Sequence, residues 1–135
     1  MTVKFNIVER GNPSNREAPK KFYPAIRSSG RTSTYDLAVA ASKRSTLNQT
    51  DMAAALASLL EIIPEELARG NVVELGDFGS FWLRTSCSGA ETADDVRATQ
   101  IETILPRFNP GKQFKRGLEQ IEFERGTLIS QPQED

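Results

Sequence analysis

The sequence predicts an α+β fold, because segments with two different hydrophobic periods follow one another along a chain of 135 residues. Two segments near the start alternate apolar and polar residues, as half-buried strands do. A central segment, residues 48–70, instead repeats large apolar residues at steps of three and four, as an amphipathic helix does. A chain of this length forms one domain with a modest core, so association with a second copy would help it.

Residues 1–33 are predicted to form an N-terminal β extension. Residues 3–8 alternate and predict a strand, whereas residues 10–19 are rich in Gly, Pro, Asn and Ser and predict a loop. Residues 20–28 alternate again. Because Pro24 has no amide donor, we expect this second strand at a sheet edge or at a bulge.

Two helices are predicted next. Thr34 is a candidate cap for a helix over residues 35–44, and Asn48 is a candidate cap for the longer amphipathic helix. Pro64 removes one backbone hydrogen bond from that helix, so we expect a kink or a broken turn near Leu60–Glu61. Gly70 is expected to end the helix in a left-handed conformation.

The remaining segments predict strands and one more helix. Residues 72–84 predict a pair of strands with a tight turn at Gly76–Asp77, and residues 85–98 predict an exposed excursion. Residues 99–108 predict a strand that Pro106 interrupts. Residues 109–121 predict a helix with Asn109 as its cap and Pro110 in its first turn. The polar residues 127–135 are expected to form a flexible tail. Phe22 and Tyr23 are expected to pack in the core or in a dimer contact.

The composition argues against an enzyme. With one cysteine, Cys87, and no histidine, the chain has neither a disulfide framework nor a histidine-containing metal site. Only carboxylates remain for acid–base work, and the adjacent, solvated Asp94 and Asp95 have poor geometry for it. We therefore expect no catalysis, no cofactor, no metal and no small-molecule substrate.

The sequence also predicts no membrane segment. No apolar run approaches the roughly 18 residues that a membrane span needs. Residues 1–10 lack the apolar stretch of a signal peptide. We therefore expect a cytoplasmic protein without a membrane partner.

The formal net charge of −1 hides an asymmetry along the chain. Residues 1–44 hold nine Lys/Arg and three Asp/Glu, whereas residues 45–103 hold three Lys/Arg and ten Asp/Glu. Residues 104–135 hold five of each sign. The basic segment either binds a polyanionic partner or pairs with the acidic segment, within one chain or across a dimer.

Three stretches carry a resemblance to a known family. The run GNVVELGDFGSFWLR, residues 70–84, resembles the signature of the HU/IHF family of bacterial nucleoid DNA-binding proteins, in which a helical hairpin leads into a glycine-bracketed turn and a strand. LNQTDMAAAL, residues 47–56, resembles the family's second helix, and RFNPGKQFKRGLEQI, residues 107–121, its C-terminal helix. Three further stretches, NIVERGNP, EAPKKFYP and SGAET, make the whole chain look like the longer, histone-like branch of the family, which has an N-terminal extension.

The resemblance implies an intertwined homodimer with a helical-hairpin base and three-stranded antiparallel sheets that extend arms. It assigns residues 34–126 to the HU-like DNA-binding domain. The implied function is architectural: largely sequence-independent binding of double-stranded DNA in the bacterial nucleoid through phosphate contacts. In the family, an apolar wedge at the arm tip, usually proline, enters the minor groove and kinks the duplex.

The candidate DNA-binding residues come from the motif and from the basic segments. Gly79 and Ser80 are small and offer donors that suit a phosphate backbone, Arg84 falls at the base of the arm, and Arg97 falls where the arm returns. The alternative for each cation is an ordinary solvated surface charge. The full set is Gly79, Ser80, Arg84, Arg97, Arg107, Lys112, Lys115, Arg116, Lys20, Lys21, Lys43 and Arg44.

The excursion departs from the family pattern. Residues 85–96 contain no Lys, Arg or Pro, and they contain Glu91, Asp94 and Asp95, which phosphate repels. Intercalation by proline is therefore not supported, and the basic excess lies at the N-terminus instead. The alternative function is an HU-like dimeric protein-interaction module that has reduced or lost DNA binding.

Overall fold

The computed structural model describes residues 1–126 and confirms the α+β class. The helices and strands follow in this order: β1 (Thr2–Arg10), β2 (Lys21–Ile26), α1 (Thr34–Ser42), α2 (Gln49–Ala68), β3 (Val73–Glu74), β4 (Gly79–Cys87), β5 (Ile101–Pro110), α3 (Lys112–Leu118) and β6 (Glu122–Arg125). They form two compact units, one from residues 1–32 and 119–126 and the other from Ser33–Leu118. The predicted tail, 127–135, lies outside the described residues.

The first unit is a three-stranded sheet in the order β2–β1–β6. β1 and β2 are antiparallel, and Ile7 is opposite Pro24. Since β2 is an edge strand of this sheet, the missing amide of Pro24 is tolerated there, as predicted. β6 pairs with β1 in parallel, with Val3 opposite Phe123, and no strand was predicted at that position.

The two faces of this first sheet differ in chemistry, because side chains alternate along each strand. One face is mainly apolar and also holds Glu9 and Arg125; its apolar residues are Val3, Phe5, Ile7, Phe22, Pro24, Ile26 and Phe123. The opposite face carries Lys4, Arg10, Lys21, Tyr23, Arg27, Glu122 and Glu124. Phe22 is 68% exposed and Tyr23 44% exposed, so neither packs into a core of this chain, which corrects the expectation of core packing.

The second unit begins with two helices, each capped by a side chain at its N-terminus. The α1 cap is Ser33, not Thr34: its Oγ accepts from the Asp36 amide at 3.1 Å, and the Asp36 carboxylate accepts from the Ser33 amide at 3.0 Å. This reciprocal arrangement satisfies two amide donors that a helix start leaves open. Asn48 caps α2 as predicted, with its side-chain oxygen 2.8 Å from the Asp51 amide.

α2 runs through Pro64 without the broken turn that the sequence suggested. Proline removes its own amide donor and crowds the carbonyl four residues earlier, but the remaining backbone bonds keep α2 one helix from Gln49 to Ala68. The kink stays a prediction. Gly70 ends α2 at a φ of +88°, as predicted. Its amide donates to Leu67 and the next amide, of Asn71, donates to Glu66, at 3.0 and 3.1 Å, which satisfies two of the last carbonyls.

The second unit continues into an antiparallel sheet in the order β3–β4–β5. Gly76 has a φ of +57° in the turn between β3 and β4, so the predicted tight connection is confirmed. β5 is not interrupted at Pro106, which pairs opposite Leu83, because β5 is an edge strand of this sheet.

The start of α3 also differs from the prediction. Asn109 and Pro110 do not begin the helix but end β5, paired opposite Ser80 and Gly79. The strand ladder outcompetes the local capping signal, and α3 begins only at Lys112.

Four phenylalanines hold α3 to this sheet. The ring of Phe114 lies 5.1 Å from Phe78 and 5.4 Å from Phe108, both edge-on, and Phe81 lies 4.9 Å from Phe108. Such pairs add about 0.5–1.5 kcal/mol each beyond the area that they bury. The cluster fixes both the strand pair β4–β5 and the helix that follows it.

The sequence predicted three parts of the chain, with one boundary after residue 33 and a second after residue 126. In the structure, the residues of β6 pair with β1 of the first unit rather than with the HU-like part. The assignment of residues 1–33 to an extension, 34–126 to a DNA-binding domain and 127–135 to a tail stays a prediction.

Candidate nucleic-acid interface

The pair β4–β5 has one face packed against α3 and one face without that cover. Phe81 and Phe108 are directly opposite each other and belong to the packed face. Alternation along the strands places six other residues, five of them polar, cationic or indole-bearing, on the other face. These residues are Ser80, Trp82, Arg84, Leu105, Arg107 and Asn109, and we call this set the hairpin face.

The hairpin face combines cations with hydroxyl, amide and indole groups. Trp82 is directly opposite Arg107, and Arg84 is two residues further along β4. Both arginines are exposed, and an Nη1 of Arg107 donates to the Pro106 carbonyl at 3.3 Å. Guanidinium, hydroxyl and amide donors are the groups that hold a phosphate backbone without reading its sequence.

Trp82 is a residue that the sequence reasoning did not select. Its ring is half-buried, and its Nε1 is buried without a hydrogen-bond partner among the described residues. Its place on the hairpin face follows from alternation with Ser80 and Arg84, so a signal for it was present in the sequence.

α3 brings three more predicted cations to the second unit. Lys112, Lys115 and Arg116 are exposed, while Phe114 anchors the helix. Lys115 and Arg116 lie in the last turn, where cations also complement the helix dipole. The short connection from β5 leaves the helix beside the strand that carries Arg107.

Gly79 begins β4. It is buried, and a Cβ there would collide with the Asn109 carbonyl and the ring of Phe108. Its φ of +148° is a second reason for glycine. Close packing within the chain therefore requires glycine here, and a contact of Gly79 with DNA stays a prediction. The hairpin face is defined without it.

The predicted excursion has about the expected length but lies two to three residues later in the chain, because β4 extends to Cys87 and β5 begins only at Ile101. Between them lie two 3-10 turns, and the ends are joined by the Ser88 amide donating to Gln100. Arg97 donates from Nη1 to the carbonyls of Asp94 and Val96, at 2.5 and 3.0 Å. Its guanidinium therefore already helps to hold this loop.

The other predicted cations do not lie on the hairpin face. Lys20 and Lys21 belong to the first unit, where Lys21 opens β2. Lys43 and Arg44 follow the end of α1, where their charge suits the helix C-terminus.

Ion pairing within residues 1–126 of one chain does not account for the basic excess, and pairing across a dimer stays the alternative. Among residues 1–126 the structure has one salt bridge, Arg69 to Glu66 at 2.6 Å, on the surface of α2. In the same residues no group of three metal-ligating side chains occurs, and Cys87 is an exposed thiol. No helix in the described part is both long and apolar enough to cross a membrane.

A family model described as an HU domain fused to wHTH, Ig, or glycine-rich motif, HU-HIG, matches residues 1–125. The chain belongs to the HU-HIG family. The match includes both units, so the first unit is part of what defines this kind of HU protein.

Two further relatives agree with this assignment. The DNA-binding protein HU of Thermotoga maritima is 33% identical over 75 residues, which are 54% of this chain and 83% of that protein. An Anabaena HU–DNA cocrystal structure superposes with a TM-score of 0.52 at 24% identity, over 66% of this chain and 99% of that one. The expected HU-like fold is thereby confirmed for the HU-HIG chain.

A longer structure resembles both units. A candidate bacterial DNA-binding protein from Bacteroides vulgatus matches with a TM-score of 0.62 at 14% identity, over 97% of this chain. The HU-HIG chain spans 50% of the length of that protein. The likeness concerns the fold, and it extends over the N-terminal strands as well as the HU-like part.

Proposed function

We propose that this protein is a non-enzymatic architectural DNA-binding protein of the bacterial nucleoid that binds duplex DNA as a homodimer, largely without sequence preference. The observation that carries the proposal is the hairpin face, which places Arg84, Arg107 and Ser80 together on a sheet with an HU-like fold. The HU of Thermotoga maritima is a DNA-binding protein by name, and the HU-HIG family model includes the same segment.

Phosphate contacts supply the affinity in this proposal. The cations of the hairpin face and of α3 are exposed, and none of them is in a salt bridge within the described residues. Each neutralised phosphate releases counterions, so affinity falls with salt by about 0.9 log units per log unit for each contact. Lys20, Lys21, Lys43, Arg44 and Arg97 are secondary candidates for the same role.

Dimerisation is supported by the apolar surface of the helices. Leu59, Leu60 and Ile62 on α2 are each about half exposed, at 51%, 50% and 48%. In the described residues only two apolar side chains, Ala38 and Leu67, are buried. A second copy that packs on α2 gives these side chains the core that one chain does not provide.

The decisive experiment is a fluorescence-anisotropy titration of the full chain with linear, nicked and cruciform DNA at 50 and 200 mM salt. We expect binding to all three at low salt and a steep loss at high salt. Absence of binding to every DNA at low salt would overturn the proposal. Sedimentation of the same sample tests the homodimer.

A protein-interaction module is the second candidate. The observation that favours it is the loop after β4, where Glu91, Asp94 and Asp95 are exposed and would repel a phosphate backbone. The titration separates the two, because an interaction module would sediment as a dimer yet bind none of the three DNAs.

A further inference from the structure

The first unit has a hollow that the proposed DNA contacts of the second unit do not use. It lies where the β1–β2 hairpin closes, has a volume of about 430 Å³, and is lined by Arg10, Asn12, Ala18, Pro19, Lys21 and Tyr23. Ligand pockets typically measure about 300–1,000 Å³. We call it the hairpin hollow.

The strand register fixes the chemistry of the hairpin hollow. Arg10 and Lys21 are directly opposite each other, and Tyr23 follows Lys21 by two residues on the same face. Directly opposite residues have Cβ atoms about 5 Å apart, and a diagonal neighbour is about 7–8 Å away. Two cations and one aromatic ring therefore share one small area.

The loop that walls the hollow is held by its own hydrogen bonds. The Asn12 side chain accepts from the Ser14 amide at 2.9 Å, and the Asn15 side chain accepts from the Glu17 amide at 3.1 Å. The Ala18 amide donates to the Asn15 carbonyl at 3.2 Å. These bonds position the wall before any ligand arrives, which reduces the ordering that binding requires.

The charge around the hollow is positive. Arg16 and Lys20 lie in the same loop, against one acidic residue there, Glu17. The carboxylates that share the cationic face, Glu122 and Glu124, are paired with Thr2 and Lys4. That end of β1 is six residues from Arg10, which is about 20 Å along a strand.

We propose that the hairpin hollow binds an unpaired nucleotide of DNA, with its phosphate between Arg10 and Lys21 and its base stacked on Tyr23. Proteins that bind single strands combine a cationic track with exposed aromatic rings in this way. Tyr23 is 44% exposed, which leaves ring surface for a base. A paired base cannot use it, because its neighbours in the duplex already cover both ring faces.

This inference rests on the proposed function and deepens it, since it predicts which DNA the protein prefers. A chain that binds duplex through the second unit and an unpaired nucleotide through the first binds best where duplex and single strand meet. Flaps, gaps and overhangs are such places.

The test is anisotropy of the full chain with a blunt 20-base-pair duplex, the same duplex with a 10-nucleotide dT overhang, dT10 alone and U10 alone. We expect Tyr23→Leu to weaken binding to dT10 by about 5- to 100-fold, the loss of one base–aromatic stack. The same variant should bind the overhang duplex no more tightly than the blunt duplex. Tyr23→Phe, which keeps the ring, should bind as the original does. Arg27→Gln is the matched control, because Arg27 is a cation of the same face outside the hollow.

The outcomes separate this inference from the proposed function. If Tyr23→Leu binds dT10 and the overhang as tightly as the original chain, the inference is wrong, while duplex binding still supports the proposed function. If the original chain binds dT10 through Tyr23 but not the blunt duplex, the proposed function is overturned and the hollow is supported. Binding of U10 at least tenfold more tightly than dT10 would overturn the assignment to DNA. Circular dichroism of both Tyr23 variants checks that the fold is intact.

Discussion

Both three-stranded sheets of this protein present an apolar face, but the chain covers only one of them with a helix of the same unit. In the second unit Phe81 and Phe108 pack against Phe114 of α3. In the first unit, whose described residues contain no helix, Phe22 and Phe123 are 68% and 60% exposed. The difference teaches that the HU-like unit covers one face of its sheet with its own helix, α3, whereas the described residues of the N-terminal unit supply only strand pairing for theirs.

The largest expected effect comes from Phe108→Ala, which removes the ring that contacts Phe78, Phe81 and Phe114. We expect it to lower the free energy of unfolding by about 3–5 kcal/mol. Phe22→Ala in the other sheet should change it by less than about 1 kcal/mol, because that ring is already solvated. Urea denaturation followed by Trp82 fluorescence and by circular dichroism measures both. Equal losses for the two variants would mean that the apolar face of the first unit is covered in solution.

The second prediction uses two glycines at α3. A Cβ on Gly111 would collide with the backbone of Asp77, so Gly111→Ala should destabilise the second unit by about 1–3 kcal/mol. Gly117 has open space around it, and Gly117→Ala should stabilise the helix by up to about 1 kcal/mol. Thermal unfolding of the two variants gives the sign of each change. A stabilised Gly111→Ala variant would contradict the close approach of α3 to the turn before β4.

The third prediction concerns the uncovered face of the HU-like sheet. Replacing Arg84 and Arg107 together by Gln should reduce the slope of log affinity against log salt for duplex DNA by about 2, because two phosphate contacts are lost. Glu102→Gln in the same strand pair is the control, since removing a negative charge should leave the slope unchanged or raise it. An unchanged slope in the double variant would move the duplex contacts away from the hairpin face.

The smallest effect is expected at the start of α1. Hydrogen bonds from the backbone and side chain of Ser33 lower the pKa of Asp36 below its ordinary value. A lowered pKa in the folded state gives stability that is present above the ordinary pKa, near 4, and is lost as pH falls through the folded pKa. Asp36→Asn should therefore weaken the dependence of stability on pH below 4, as acid titration of unfolding would measure. Asp51→Asn, in the first turn of α2, is a comparison at a helix start without the reciprocal Asp bond.

Much of the second unit could be predicted from the sequence, because its signals are local. The caps and the end of α2 depend on hydrogen bonds between residues a few positions apart, such as Asn48 with Asp51. The α3 start was wrong for the opposite reason, since Asn109 and Pro110 are held by β4, a distant strand. The strand β6 was missed because its pairing with β1 is also non-local, although Ile121 and Phe123 alternate with glutamates.

In the candidate site, too, the features set by local sequence could be predicted and those set by contacts between distant residues could not. Alternation on β4 indicates which residues share a face with Arg84, and it would have selected Trp82. It does not reveal that Gly79 is buried under Phe108, because that contact joins two strands. The hairpin hollow needs the register of Arg10 with Lys21, which a single sequence does not specify.

The parallel pairing of β6 with β1 has a consequence for synthesis on the ribosome. The β1–β2 hairpin is complete at Ile26, but the strand that closes the other edge of β1 begins only at Glu122. At about 5–20 residues per second, that edge stays open for roughly 5–20 s. An open strand edge is a site where a nascent chain can pair with a neighbour, and charged side chains disfavour such pairing. Lys4 and Arg10 place positive charge on β1 during this interval.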